Sequence, residues 1–365
     1  MQNKPQTVLE EILDIAKWAP SGDNAQPWQF EIIDESHFCI YSQDTRHRCI
    51  YDLQGRASQL ALGMLLENIV ISASRYKKTV EIISLEKNLL DQGNQLIKIT
   101  IKVHQATNAP VNPLFEFIKI RATNRKPYQL KAINPRHFEH LEQSLPEGYR
   151  LIWFKTLKQR LAVAKIVFAA QGIALTTPEA FQTHVDAIEW DKQFSEDRIP
   201  SLAIGASKPT LTLMKWAMQS WQRINFLNTY LLGTLMPRIE LNLLPAIFSS
   251  AHFLIFAPKK NDTAEEQIES GRAVQKFWLT VTKLGLQLQP QMSTLILSQY
   301  ARNNITFSKT ARQIALAKTL SENFTAVISN TELDQAVFFG RIGYSTFPTA
   351  RSLRKELKLL LNSSS

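Results

Sequence analysis

Two stretches of this chain, about 190 residues apart, are apolar nearly all the way round a helical turn: "SQLALGMLLENIVISASRYK" (58–77) and "ESGRAVQKFWLTVTKLGLQLQP" (269–290). A helix without a polar face has to be surrounded by protein. Each stretch therefore predicts a buried helix, and strands stand near both. "WQFEIIDE", "HFCIYS" and the alternating "QLIKITIKV" (95–103) flank the first; "HFLIFAP" (252–258) and "FFGRIGY" flank the second. Strands combined in this way with long buried helices predict an α+β fold built from two copies of one unit, with antiparallel-rich sheets.

Residues 7–18 place Leu9, Ile12, Leu13 and Ala16 at i, i+3, i+4 and i+7, with Glu10 and Glu11 at the positive end of the helix they predict. The turn-rich "HQATNAPVNP" (104–113) marks a boundary between a first unit, 1–108, and a second, 109–365. The second unit is expected to open with a helix leading into "RATNRKP". A helix over 135–144, a strand over 150–154 and a helix near 158–173 follow. An insertion of about 179–248 then interrupts it, carrying Trp190, Trp216 and Trp221. It reads either as helical packing against the core or as a helical cap over a pocket. His184, Asp186, Trp190, Asp191 and Arg198 either enter that pocket or form a salt-bridged surface.

With 44% apolar and 20% charged residues the chain is globular, not disordered. Its two cysteines, Cys39 and Cys49, make neither a disulfide framework nor a zinc site on their own, and a reducing, cytoplasmic setting is expected. Acidic residues within the apolar part of the N-terminus argue against a signal peptide. "INFLNTYLLGTLM" (224–236) holds two asparagines and, at 13 residues, falls short of the roughly 20 that span a bilayer. The net charge of +10 raises nucleic acid as a partner, but the basic residues are spread out, with no block of five or six. Neither nucleic acid nor a membrane is expected as a partner. No metal spacing is found among the seven histidines, and there is no GxGxxG or P-loop.

"APSGDNAQPW" (19–28) sets two amides in a turn between prolines, just ahead of a strand. It closely resembles the "APS–x–x–N–x–QPW" signature of nitroreductase-like flavoproteins, which bind FMN. "IRATNRKP" resembles the family's "R–x–S/T–x–R", which holds the FMN phosphate. The 269–290 helix looks like the family's long central helix, and "GRIGYSTFPTARSLRK" is similar to its closing strand and basic tail. The matches run from about residue 8 to 355. This resemblance implies that Arg121 and Arg125 give the phosphate planar, charge-assisted donors, with the Thr123 hydroxyl as a third group and Arg351 or Arg354 adding another. It implies that Asn24 and Gln26 offer both hydrogen-bonding senses to the edge of the flavin ring. Ser21 and Gly22 would let the backbone pass close to the ring, and Pro20 and Pro27 would fix the turn. Asp23 is either a surface cap or a group facing the substrate.

In ordinary members of that family the arginine motif precedes the "APS" motif within one domain, and two identical chains pair to make two sites. Here the "APS" turn is in the first half and "RATNR" in the second. The resemblance therefore implies a covalent pseudo-dimer with one complete composite site, working as a monomer or as a homodimer of such chains. The expected function is FMN-dependent oxidoreduction, with NADH or NADPH as electron donor and a small organic molecule as acceptor. No catalytic residue is identified, because a flavin carries the redox chemistry itself. A flavin-storage protein and an FMN-consuming oxygenase-type enzyme are the alternatives.

Overall fold

The computed structural model describes residues 7–90, 93–231, 233–328 and 332–362. The chain is α+β, with two four-stranded sheets, each antiparallel throughout. The first runs Trp28–Ile32, His37–Gln43, Gln95–Gln105, Lys78–Leu89 from edge to edge. The second runs Gln287–Pro290, Ala336–Gly343, Ala251–Phe256, Arg150–Phe154. Every residue of its two inner strands is buried, which is why those strands read as unbroken apolar runs rather than alternating ones.

Between the sheets lie the two long helices, Arg56–Arg75 and Ala264–Lys283, each of 20 residues. The first is long and apolar enough to cross a membrane, yet most of it is buried inside the protein. The helices cross where both backbones carry glycine. A Cβ on Gly63 would stand 1.9 Å from the Ile268 carbonyl oxygen, and one on Gly271 would stand 2.1 Å from that of Leu60. Gly63 and Gly271 are each the eighth residue of their helix, and Leu60 and Ile268 each the fifth. Such reciprocal contacts between matching positions characterise a two-fold interface, here formed within a single chain. Beside the crossing, Gln275 Nε2 donates to Asn68 Oδ1 at 2.7 Å, and Arg272 Nε donates to the buried Glu67 carboxylate at 3.2 Å.

The insertion contributes helices Ala180–Ala187, Lys208–Ala217 and Trp221–Tyr230, with shorter turns up to Ile247. Its short strand Phe194–Ser195 pairs in parallel with Arg351–Ser352 of the C-terminal tail. The tail then crosses to the other half. Phe30 N donates to Leu360 O, and Asn362 N to Phe30 O, both at 2.7 Å, so the tail lies along the free edge of the first sheet.

Several elements differ from the sequence expectation, among them Gln287–Pro290, a strand where the helix was expected to continue. No α-helix leads into "RATNR"; only the short 3-10 turn Phe115–Phe117 stands there, in a stretch rich in proline and asparagine. The strand Lys78–Leu89 was not expected because a bulge between Ile82 and Ser84 interrupts its alternation. Helices Met292–Arg302 and Ala311–Ile328 were also not anticipated.

Candidate functional site

A cavity of about 640 Å³ opens between the two halves. The first half lines it with the 20–27 turn, with Thr45 to Asp52 and with Leu60, Ala61 and Met64 of the central helix. The second half supplies Thr123, Arg125, Trp278, Phe338 and the run Gln289–Thr294. The insertion closes the remaining side with Thr183, His184, Asp186, Arg198 and Asn242.

The 20–27 turn is held in an unusual conformation. Asp23, Asn24 and Gln26 have φ of 49°, 64° and 49°. Left-handed backbone is tolerated by Asp and Asn but disfavoured for Gln, so surrounding contacts must impose it. Ser21 Oγ accepts from Gln26 N at 2.9 Å. Gln26 Nε2 donates to Glu196 O at 2.8 Å, and Gln26 Oε1 accepts from Lys355 N at 3.0 Å. Asn24 Nδ2 reaches the carbonyls of Glu196 at 3.1 Å and Leu353 at 3.2 Å. Both amides are buried. The structure thus brings Pro20, Ser21 and Gly22 to the cavity wall, but it turns the Asn24 and Gln26 side chains away to bind the insertion and the tail. The expectation that these amides read a flavin ring is corrected on this point: the backbone carbonyls of an inserted segment take the donors. No protein atom lies within 4 Å of where a Gly22 Cβ would stand, which leaves that stretch of wall open.

"RATNR" is extended and joins the edge of the second sheet. Thr123 bridges Leu288 in parallel, and Asn124 N donates to Leu288 O at 3.0 Å. Arg341, fully buried in the last strand, fixes it from behind: its guanidinium donates to Arg125 O at 3.1 Å, Lys126 O at 2.9 Å and Gln289 Oε1 at 2.6 Å. A buried guanidinium must be satisfied in this way. The arginine in "FFGRIGY", alone in an apolar run, was the sequence signal for this role, and it was missed.

Thr123 and Arg125 reach the cavity; Arg121, Arg351 and Arg354 do not. Arg121 Nη2 donates to Trp18 O at 3.0 Å, and its guanidinium lies over the Trp278 ring at 4.6 Å. Arg354 Nε donates to Ala19 O at 3.0 Å, and Arg351 Nη2 to Lys119 O at 2.9 Å. Arg121 stacks on the cavity-lining Trp278, and Arg354 bonds the carbonyl next to the cavity-lining Pro20. Burial, aided by the like charges of Arg354 and Arg351, pushes Arg121 well below its ordinary value; burial, then Arg351, brings Arg354 down to about 9. The Nε atoms of Arg121 and Arg351 are buried without a partner. At the cavity, burial raises the Asp23 carboxyl while Arg125 draws it back, and burial lowers Arg125 while Asp23 opposes it. Asp23 is exposed and lines the cavity.

From the insertion, His184, Asp186 and Arg198 line the cavity, whereas Trp190 and Asp191 do not; Asp191 instead pairs with Lys215. Tyr51 Oη and His184 Nε2 are 2.9 Å apart, and their rings stack with centroids 5.8 Å apart. Burial lowers His184 to about 4 and raises the Tyr51 phenol well above its ordinary value, so the pair is neutral at pH 7. His252, buried beside Gln291, is likewise lowered to about 4, chiefly by burial. The unfolded chain binds these protons near pH 6.5 and the folded chain only near 4. Stability should therefore fall as pH drops through that window, by up to about 3 kcal/mol per histidine. Urea denaturation between pH 7 and 4.5 should show this slope. His184→Gln should flatten it, and an unchanged slope would mean that His184 is protonated in the folded state.

The sequence also gave no warning of Gln289–Thr294. Helix Met292–Arg302 begins there, with Gln291 as its N-cap and Thr294 N donating to Gln291 O at 3.2 Å.

Solved structures that resemble the chain are nitroreductase-like flavoproteins. The nitroreductase-like family protein from Bacillus cereus is 12% identical with a TM-score of 0.35, covering 69% of this chain and 96% of that one. The FMN-dependent nitroreductase NfnB from Mycobacterium smegmatis, in complex with NADPH, is 12% identical with a TM-score of 0.38, covering 68% and 97%. The BluB-like flavoprotein from Clostridium difficile 630 is 12% identical with a TM-score of 0.37, covering 70% and 100%. Among curated proteins, the chain is similar to the uncharacterized protein MT1398 of Mycobacterium tuberculosis, at 22% identity over 309 residues. That match covers 83% of this chain and 41% of the relative, so the chain spans about two fifths of the relative's length. No protein-family model matches the chain. The cavity's chemistry therefore has to be read from its own residues.

Proposed function

We propose that the protein is an FMN-dependent oxidoreductase with one composite flavin site per chain, assembled from two nitroreductase-like units at 1–108 and 109–365. One observation carries this reading: the "APS" turn of the first half and Thr123 and Arg125 of the second line the same cavity. Its volume is in the range of cofactor sites. The residues also fit the group. Leu60, Met64, Trp278 and Phe338 give apolar walls for a flat ring, while Gln289, Gln291 and the helix start at Met292 give neutral polar groups for its edge. Thr123, Arg125 and Lys355 would hold the phosphate, with Arg121 stacked on the lining Trp278 close by. Bound there, the flavin would supply the redox chemistry. The protein's part is to orient it and to exclude water, and the insertion restricts which acceptor enters. NADH or NADPH is the proposed donor and a small organic molecule the acceptor.

Purified protein should be yellow or become so with FMN, at about one FMN per chain by absorbance after gel filtration. NADH or NADPH under argon should bleach it. Two tight FMN per chain would refute the single composite site. Protein that cannot be reconstituted would refute the flavin reading altogether. A yellow protein inert to both nucleotides would leave storage as the better account.

A further inference from the structure

The insertion carries surface that the cavity does not use. Helix Trp221–Tyr230 has no buried residue, although it holds Trp221, Ile224, Phe226, Leu227 and Tyr230. Phe226 is 53% exposed and Tyr230 71%, with their rings 5.2 Å apart, and the chain continues through Leu231 at 63% and Met236 at 64%. On the preceding helix, Leu213 and Trp216, one turn apart, are also exposed. Isolated exposed apolar residues are ordinary, but a contiguous set of this kind marks an interaction surface.

The charge pattern identifies the partner. Between Asp197 and Glu240 there is no acidic residue, and there are five basic ones. Arg238 is turned inward onto Phe168, at 3.8 Å from the ring. Lys208 and Lys215 stay exposed, Lys215 also pairing with Asp191, and Arg223 lies over the Trp216 ring at 4.8 Å. Exposed aromatic and aliphatic side chains edged by Lys and Arg, on helices too short to span, are the composition of a surface that lies in the headgroup layer of an anionic membrane. Trp216 and Tyr230 have the amphipathic rings that favour that depth.

We propose that the helices over 208–236 dock the protein on an anionic membrane surface. This departs from the sequence expectation of no membrane partner and does not depend on the flavin reading. The test is co-sedimentation of the full chain with vesicles. It should pellet with phosphatidylglycerol vesicles and stay in solution with phosphatidylcholine vesicles. Raising salt from about 0.05 M to about 0.5 M should weaken binding on the order of tenfold. Phe226→Ser with Leu231→Ser, and separately Lys208→Glu with Lys215→Glu, should each weaken it by about tenfold or more, with unchanged circular dichroism. Failure to pellet with phosphatidylglycerol overturns the proposal. So does equal binding to both vesicle types. A concentration-dependent dimer that the same substitutions abolish, without vesicle binding, would assign the surface to a second copy of the chain.

Discussion

Gly63→Ala should destabilise the protein by roughly 3 kcal/mol or more, even though alanine is the better helix former by about 1 kcal/mol. The methyl group would need the space of the Ile268 carbonyl, 1.9 Å away, and this neighbour is backbone and cannot rotate aside. Gly271→Ala meets the same obstacle at Leu60 O, 2.1 Å away, and should have a similar effect. Gly22→Ala is the matched control, since nothing lies within 4 Å of its added carbon, and it should stay within about 0.5 kcal/mol. Urea midpoints on the three variants decide the matter. If Gly63→Ala keeps the parent midpoint, the helices do not cross as closely as described.

Arg125→Ala should weaken FMN by about 1.5–3 kcal/mol, roughly 10- to 150-fold, while riboflavin, which lacks the phosphate, changes little. The same change removes the cation that opposes the burial of Asp23, so the Asp23 carboxyl should titrate higher still. Arg121→Ala should behave differently. Arg121 holds Trp18 O and stacks on Trp278, so its loss should affect FMN and riboflavin alike, with some loss of stability. Titration of both flavins against both variants separates direct phosphate contact from support of the wall. A selective FMN defect in Arg121→Ala alone would place the phosphate behind the wall and not at Arg125.

Much of the fold was legible because it follows from periodicity. The helices Arg56–Arg75 and Ala264–Lys283 are buried along much of their length, and the strands Ala251–Phe256 and Ala336–Gly343 are buried on both faces; both patterns survive in a single sequence. The strand Lys78–Leu89 was hidden by one bulge, and the segment before Arg121 lacks the helix its composition promised. The site was legible in part. Pro20, Ser21, Gly22, Thr123 and Arg125 all line the cavity. Asn24 and Gln26 do not, because their amides meet the carbonyls of Glu196 and Leu353, about 170 and 330 residues further along the chain. No local rule reports such a contact. The Tyr51–His184 pair, joining the first half to the insertion, was invisible for the same reason.

The helix crossing at Gly63 and Gly271 has a bearing on how the site responds to dilution. A pocket shared by two separate chains opens when the chains dissociate, so its occupancy depends on protein concentration. Here both walls belong to one polypeptide, and each half meets the other at an effective concentration on the order of millimolar, set by the tether. The cavity should keep its shape at nanomolar protein. Each half is also free to carry substitutions that the other does not share, which a pair of identical subunits cannot do. One half carries the turn at 20–27 and the other Thr123 and Arg125, and both sets line the same cavity.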